Sequence, residues 1–392
     1  MDKKSTIKIF KNDILMEKER SMGRKEEIFT FFFIALAVSF FVTSTSFSKD
    51  IQKSEKNTRK AYAKMRELLL SDKFRSEENR IARREAVKGV MADYNSEPRL
   101  SADPIRIGMP NDKSRVDIDW LVKHCEDLGV NCYHFLVWHQ PTDWDDFQSF
   151  VIAAEKSRIL AARNFTVWVY LVPPSESQEM KSEPFGLDYI AWMENIAKFS
   201  RDHPGVTAVC IDDFYGSDVN RSLYTRDYLR KMRRAADKYN PKLALVTVLY
   251  WDDVDPKKEV EVMEEAMVIA DSIDGILYPY MAQSLGKGLS HKETSKLAYE
   301  IKQVRQVYPG IPLIVDVYIT KHSGSRDLPD QKWASEMLDI SKANADGVAL
   351  YCMPKKNKDG SFSNFWKNSI EDPNGIFNVV KGRYTAWLRS TF

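Results

Sequence analysis

The run AVCIDDFYG at 208–216 ends an apolar, strand-like stretch in two adjacent carboxylates, Asp212 and Asp213, followed at once by Phe214 and Tyr215. Water is the least costly place for an aspartate, so a pair at the tip of a buried strand needs either a helix to cap or a reaction to serve. A third acid, Asp316, interrupts the otherwise apolar PLIVDVY at 312–318, where it must be paired or put to use. Aromatic residues beside such acids suit a carbohydrate, because the apolar faces of a pyranose lie on aromatic rings while acids bond its hydroxyls. Glycosidic cleavage also takes two carboxyl groups, one protonated to release the leaving oxygen and one ionised to attack or to activate water.

The elements that must position these residues alternate. Short β-rich runs stand at 105–109, 132–138, 166–172, 206–212, 243–250, 275–280, 312–318 and 347–352, separated by longer amphipathic helical stretches such as WDDFQSFVIAAEKSRILAARN and TRDYLRKMRRAADKYN. The helical stretches end at Gly, Asn or Pro just before the next strand, as at Leu128-Gly129, Asn164, Asn240-Pro241 and Pro309-Gly310. Eight strand–helix units over residues 105–392 predict a (β/α)8 TIM barrel. A doubly wound open sheet fits less well, since the first strand candidate ends in Gly-Met-Pro-Asn-Asp, which cannot cradle a pyrophosphate.

Chemistry in such a barrel collects at the carboxyl ends of the strands. Those ends carry Trp138 and His139, Tyr170, Asp212 and Asp213, Tyr250 and Trp251, Tyr278 and Tyr280, Asp316 and Tyr318, and Tyr351, whereas the opposite ends are plain. Side-chain alternation sharpens the reading: small Ala208 and Cys210 alternate with bulky Val209 and Ile211, so Asp212 is expected to point into the barrel mouth, with Asp213 on the rim. Asp316 shares its side of the strand with Tyr318. Catalytic candidates are therefore Asp212 and Asp316 as the working pair, with Asp213 as a third. The structural alternatives are a turn cap for Asp213 and an ion pair for Asp316, for instance with Arg106. Asp252 and Asp253 read as an ordinary helix-entry loop.

CIDDFYG, the following KMRRAADKYNPKLALVTVLYW passage and the aromatic end DGILYPYM resemble the glycoside-hydrolase-like (β/α)8 barrel proteins of bacteria. The resemblance spans about residues 105 to 390 and implies glycosidic hydrolysis or, in an inactive barrel, glycan binding. It lacks the Asn-Glu pair that many retaining members carry after strand four and the D-x-x-D-x-D-x-E series of chitinase-like barrels. No glutamate stands at a strand end, so acid and base are expected to be aspartates, acting on a polysaccharide or glycoconjugate.

Other chemistries lack their residues. Six histidines show no HxH or HExxH, and there is no P-loop, no G-x-S-x-G and no phosphate-binding Gly-rich turn after strands seven and eight, so neither a metal nor a cofactor is expected. A divalent ion on Asp212, Asp213 and Asp316 is chemically conceivable but nothing in the spacing requires it. With 58 Lys and Arg against 56 Asp and Glu, no global field invites nucleic acid.

Residues 28–42, IFTFFFIALAVSFFV, follow Arg24 and Lys25 and precede Ser46 and Ser48, the layout of a secretory signal that is complete from Met22. Residues 1–48 are thus expected to be a signal region, with the true start possible at Met22, and the protein to be secreted, periplasmic or envelope-associated without a lasting membrane span. An uncleaved anchor is the alternative, although 15 apolar residues fall short of the ~20 a span needs. Residues 49–104 read as a charged helical extension packed on the barrel or spacing it from the envelope. Export permits disulfides; Cys125 and Cys132 flank one helix-to-strand turn and are read as either a pair or two free thiols.

Overall fold

The structure is a computed structural model that describes residues 77–94, 96, 115–138, 141–176, 182–285, 293–319, 329–351, 355–356, 362–363 and 373–389. Eight parallel strands close into a barrel in sequential order: β1 Ala92–Tyr94, β2 Cys132–Val137, β3 Thr166–Leu171, β4 Val206–Ile211, β5 Ala244–Val248, β6 Gly275–Pro279, β7 Leu313–Tyr318 and β8 Gly347–Tyr351. Closure is made by β1, which pairs with β2 at Ala92–Cys132 and with β8 at Tyr94–Tyr351. The fold is the (β/α)8 barrel that the alternation of the sequence predicts.

One strand differs. The run at 105–109 lies outside the described residues, and the first barrel strand is Ala92–Tyr94, inside the segment expected to be a helical extension. Three residues, one of them Asp93, give too little periodicity to read. Asp93 is tolerated because it faces a helix, where its carboxylate meets His124 Nε2 at 2.9 Å. The helix Glu77–Glu85 ahead of β1 belongs to the floor of the barrel. Its Arg83 is buried, donating through Nε to Asp274 at 2.8 Å and through Nη1 to the Pro241 carbonyl at 2.8 Å. Asp274 also accepts from the Leu245 backbone N–H, which ties the pair to the sheet. Just beyond, Val87 packs on Gly275 so closely that a Cβ there would lie 2.6 Å from Val87 Cγ1.

The barrel interior is filled unevenly. Tyr94, Trp168 and Tyr170 enter from β1 and β3, and Ala208, Cys210, Ala244 and Ala349 from β4, β5 and β8 make room for them. Large and small residues on facing strands interdigitate in layers, which is how a barrel of this width becomes a packed core. His134 joins the aromatic layer, stacked at 4.3 Å on Trp168. Burial drives its pKa down to about 3, so it is a neutral ring rather than a base. Cys125, Cys132 and Cys210 are buried free thiols. No helix among the described residues is long and apolar enough to cross a membrane, and the run 28–42 lies outside them.

Candidate active site

Parity along β4 holds as expected: Ala208 and Cys210 face the interior, and the next inward position is Asp212. The Asp212 N–H donates to the Leu171 carbonyl at 2.9 Å, continuing the β3–β4 ladder by one residue. Its Oδ1 accepts the Asp213 N–H at 2.9 Å, and the Tyr170 hydroxyl from β3 also bonds its carboxylate. The chain then turns sharply, with Asp213 in the left-handed region at φ 36°. The Asp213 carbonyl accepts from the Gly216 N–H at 2.9 Å and from Asn220 Nδ2 at 2.8 Å.

A third carboxylate, which no strand-end pattern marks in the sequence, completes the group. Glu176 lies five residues beyond β3, in the loop after Pro173, and is brought over the end of β4. Glu176, Asp212 and Asp213 each offer an oxygen within 4.8 Å of the other two. Glu176 and Asp213 share a hydrogen bond, and Tyr250 from the end of β5 bonds Asp213 as well. The aspartates also differ from expectation: the partner that closes on Asp212 is Glu176 rather than Asp316.

Electrostatics follow from this crowding. Burial, then the charge of Asp212 and the bond and charge of Asp213, push the Glu176 pKa up to about 10. Burial and the Asp213 charge also raise Asp212 well above the usual carboxylate range, against the opposing pull of Tyr170. These groups titrate together, and the cluster keeps a proton at neutral pH because three like charges so close cannot all ionise.

The acids sit at one edge of a cavity of ≈ 520 Å³ in the mouth of the barrel. Of the aromatic strand-end residues, Trp138, Tyr170, Tyr250, Tyr318 and Tyr351 line it, and Tyr94 of β1 joins them. Tyr94 stacks on Tyr170 at 5.0 Å and lies 5.1 Å from Tyr351, which meets Tyr318 at 4.8 Å. Three expected wall residues are elsewhere. Tyr278 points outward, donating its hydroxyl to Glu300 Oε2 at 2.7 Å behind the sheet. Tyr280 is buried apart from the cavity, and Trp251 packs against Tyr299 at 5.9 Å. Alternation explains Tyr278: it sits one position past Leu277, which faces the barrel interior. His139 and Arg106 lie outside the described residues.

Asp316 does point inward, but beneath the cavity rather than on its wall. Its Oδ2 accepts the Tyr94 hydroxyl at 2.6 Å, and Oδ1 has no partner among the described residues. Burial pushes its pKa up to about 8, which the Tyr94 bond opposes and the Asp93 charge reinforces. Asp253, which reads as a helix-entry acid, caps its own turn by accepting the Tyr250 N–H at 2.8 Å.

Glu176, Asp212 and Asp213 are the described residues that could together hold a hard cation, with Glu176 in the place expected for Asp316. As a site, the arrangement offers an aromatic trough for a ring and a protonated carboxyl with two further carboxyl groups within reach of it. No family model and no curated protein matches the chain in sequence. Among solved structures it is similar to the catalytic domain of a hyperthermophilic chitinase from Pyrococcus furiosus, at 13% identity and TM-score 0.50, covering 78% of this chain and 99% of that one. It is also similar to a GH5_18 variant from Streptomyces cattleya in complex with Manb1-4GlcNAc, at 13% identity and TM-score 0.50, covering 70% and 77%. The likeness is one of fold, the closed (β/α)8 barrel that the strand order shows.

Proposed function

We propose that this barrel is an exported glycoside hydrolase that cleaves glycosidic bonds in a polysaccharide or glycoconjugate. The observation that carries the reading is the Glu176–Asp212–Asp213 cluster at the edge of an aromatic cavity. Glu176, kept protonated, is the general acid that gives its proton to the leaving oxygen. Asp213, which takes hydrogen bonds from Glu176 and Tyr250, is the partner carboxyl group that attacks the anomeric carbon or activates water. Asp212, the inward acid of β4, crowds Glu176 and, with burial, favours a proton held within the cluster. Asp316 supports the site from below through Tyr94.

Oxygens within 4.8 Å of one another leave no room for the water that the ~6.5–9.5 Å spacing of inversion interposes, so retention is the stereochemical outcome this reading expects. The export reading rests on Arg24, Lys25 and the apolar run 28–42. Sugars containing N-acetylglucosamine are the first probes to try, because two of the structural neighbours are a chitinase and a protein in complex with Manb1-4GlcNAc. The test is release of reducing ends from a panel of such glycans by the wild type, E176Q and D213N. Losses of about 10²-fold or more in both variants, with glycan binding retained, support the assignment. Full activity in either variant, or glycan binding without cleavage by the wild type, overturns it.

A further inference from the structure

The two loops that bring the acids together are tied by one side chain. Asn220, in the short helix Asp218–Leu223, is fully buried. Its Nδ2 donates to the Asp213 carbonyl at 2.8 Å and to Ser175 Oγ at 3.0 Å, while its Oδ1 accepts the Ser175 N–H at 3.0 Å. Both amide hydrogens are thus used, one on the loop after β3 and one on the turn after β4. Ser175 directly precedes Glu176, so the bidentate grip fixes the backbone from which that side chain departs. Ser217, through Oγ, caps the Asn220 N–H at 3.3 Å, and the Asn220 carbonyl accepts from Tyr224 at 2.9 Å, which anchors the carboxamide itself.

The turn it holds is a strained one. A non-glycine residue at φ 36° is costly and persists only where its surroundings over-determine it. A filler role does not account for the bonding. Leucine would match the volume but leave the Ser175 N–H and the Asp213 carbonyl short of partners, and aspartate would keep the acceptor while losing both donors.

We propose that Asn220 is the positioning residue of the site, its carboxamide setting the distance at which Glu176 meets Asp213. This deepens the hydrolase reading and rests on it for its purpose, but the geometry can be tested without a substrate. The readout is the titration of Glu176, followed by carboxyl ¹³C NMR in glutamate-labelled protein, with the signal assigned by its loss in E176Q. In N220A the loops part, and the Glu176 midpoint falls by about one pH unit or more, because the neighbouring carboxylates recede. In S175A, which removes a single acceptor, the midpoint moves the same way by a smaller amount. A midpoint in folded N220A within about 0.3 unit of the wild type overturns the proposal. Should N220A fail to fold, S175A decides by the same ~0.3-unit criterion. Failure here leaves the hydrolysis test of E176Q untouched, and an inactive wild type leaves the titration result standing.

Discussion

Glu176 and Asp213 share a hydrogen bond although one belongs to the loop after β3 and the other to the turn after β4. The bond needs a proton held in the native state that a solvated glutamate would release. Glu176 therefore has a folded pKa of about 10 against an ordinary 4.5. Between those values the native state binds more protons than the unfolded chain, so the stability the proton brings is fully present below about 4.5 and drains away as pH rises toward about 10.

Glutamine at 176 is neutral in both states and removes that drain. E176Q is expected to gain stability relative to the wild type as pH increases, by more than ~1 kcal/mol at pH 8. Paired thermal melts at pH 5 and pH 8 check this. A difference between the two proteins that does not grow with pH means that Glu176 is not protonated in the fold.

Tyr94 and Asp316 make a second test. Tyr94→Phe keeps the ring in the cavity but strips the buried Asp316 of its hydrogen bond, and a cost of ~1–3 kcal/mol is expected. Asp316→Asn keeps an oxygen for the Tyr94 hydroxyl and removes the buried acid, so it should be nearly neutral in stability. Because Asp316 lies off the cavity wall, D316N should also leave glycan affinity within about two-fold, as read by calorimetry. A large loss of binding in D316N would put Asp316 in direct touch with the ligand.

Much of this architecture is legible in the sequence, and the failures have physical causes. Seven of the strand candidates coincide with barrel strands, because buried parallel strands bounded by Gly, Asn and Pro leave an unmistakable pattern. Asp212 is legible by alternation, since the small residues before it had to face a crowded interior. Glu176 is not, because it reaches the site through a loop whose path is set by tertiary bonds such as those of Asn220. The one available signal was Pro173-Pro174-Ser175, a turn directly after the aromatic end of β3. Tyr278 and Tyr280 mislead because an aromatic at a strand end reads the same whichever way the side chain points. β1 escapes because its partner strands, rather than its own three residues, define it.

The floor of the barrel carries a steric prediction. A Cβ at position 275 would lie 2.6 Å from Val87 Cγ1 and 3.3 Å from Val246 Cγ2. Valine is stiff at χ1 and both neighbours are buried, so neither can swing aside. Gly275→Ala should cost ~1–3 kcal/mol in chemical denaturation. Val87→Ala placed in the same chain should recover part of it, giving a non-additive cycle. Strict additivity would show that the segment around Val87 does not press on β6.

The aromatic cavity separates ligand-facing rings from structural ones. Tyr351, half-buried beside Tyr94 and Tyr318, should lose ~1–3 kcal/mol of glycan binding as Y351A, with little change in melting temperature. Tyr278, equally aromatic and near the carboxyl end of β6, should do the reverse. Y278F leaves the Glu300 carboxyl with one bond fewer behind the sheet, which costs stability at that place and leaves the cavity unchanged. Burial already holds the Glu300 pKa above the usual range, so the lost Tyr278 bond raises it further and the protein tolerates the change better at acidic than at neutral pH. Melting curves and titration calorimetry on the two variants check the crossing of effects. Weakened glycan binding in Y278F, with Y351A unaffected, would mean that the ligand lies on the other side of β6 from the acids.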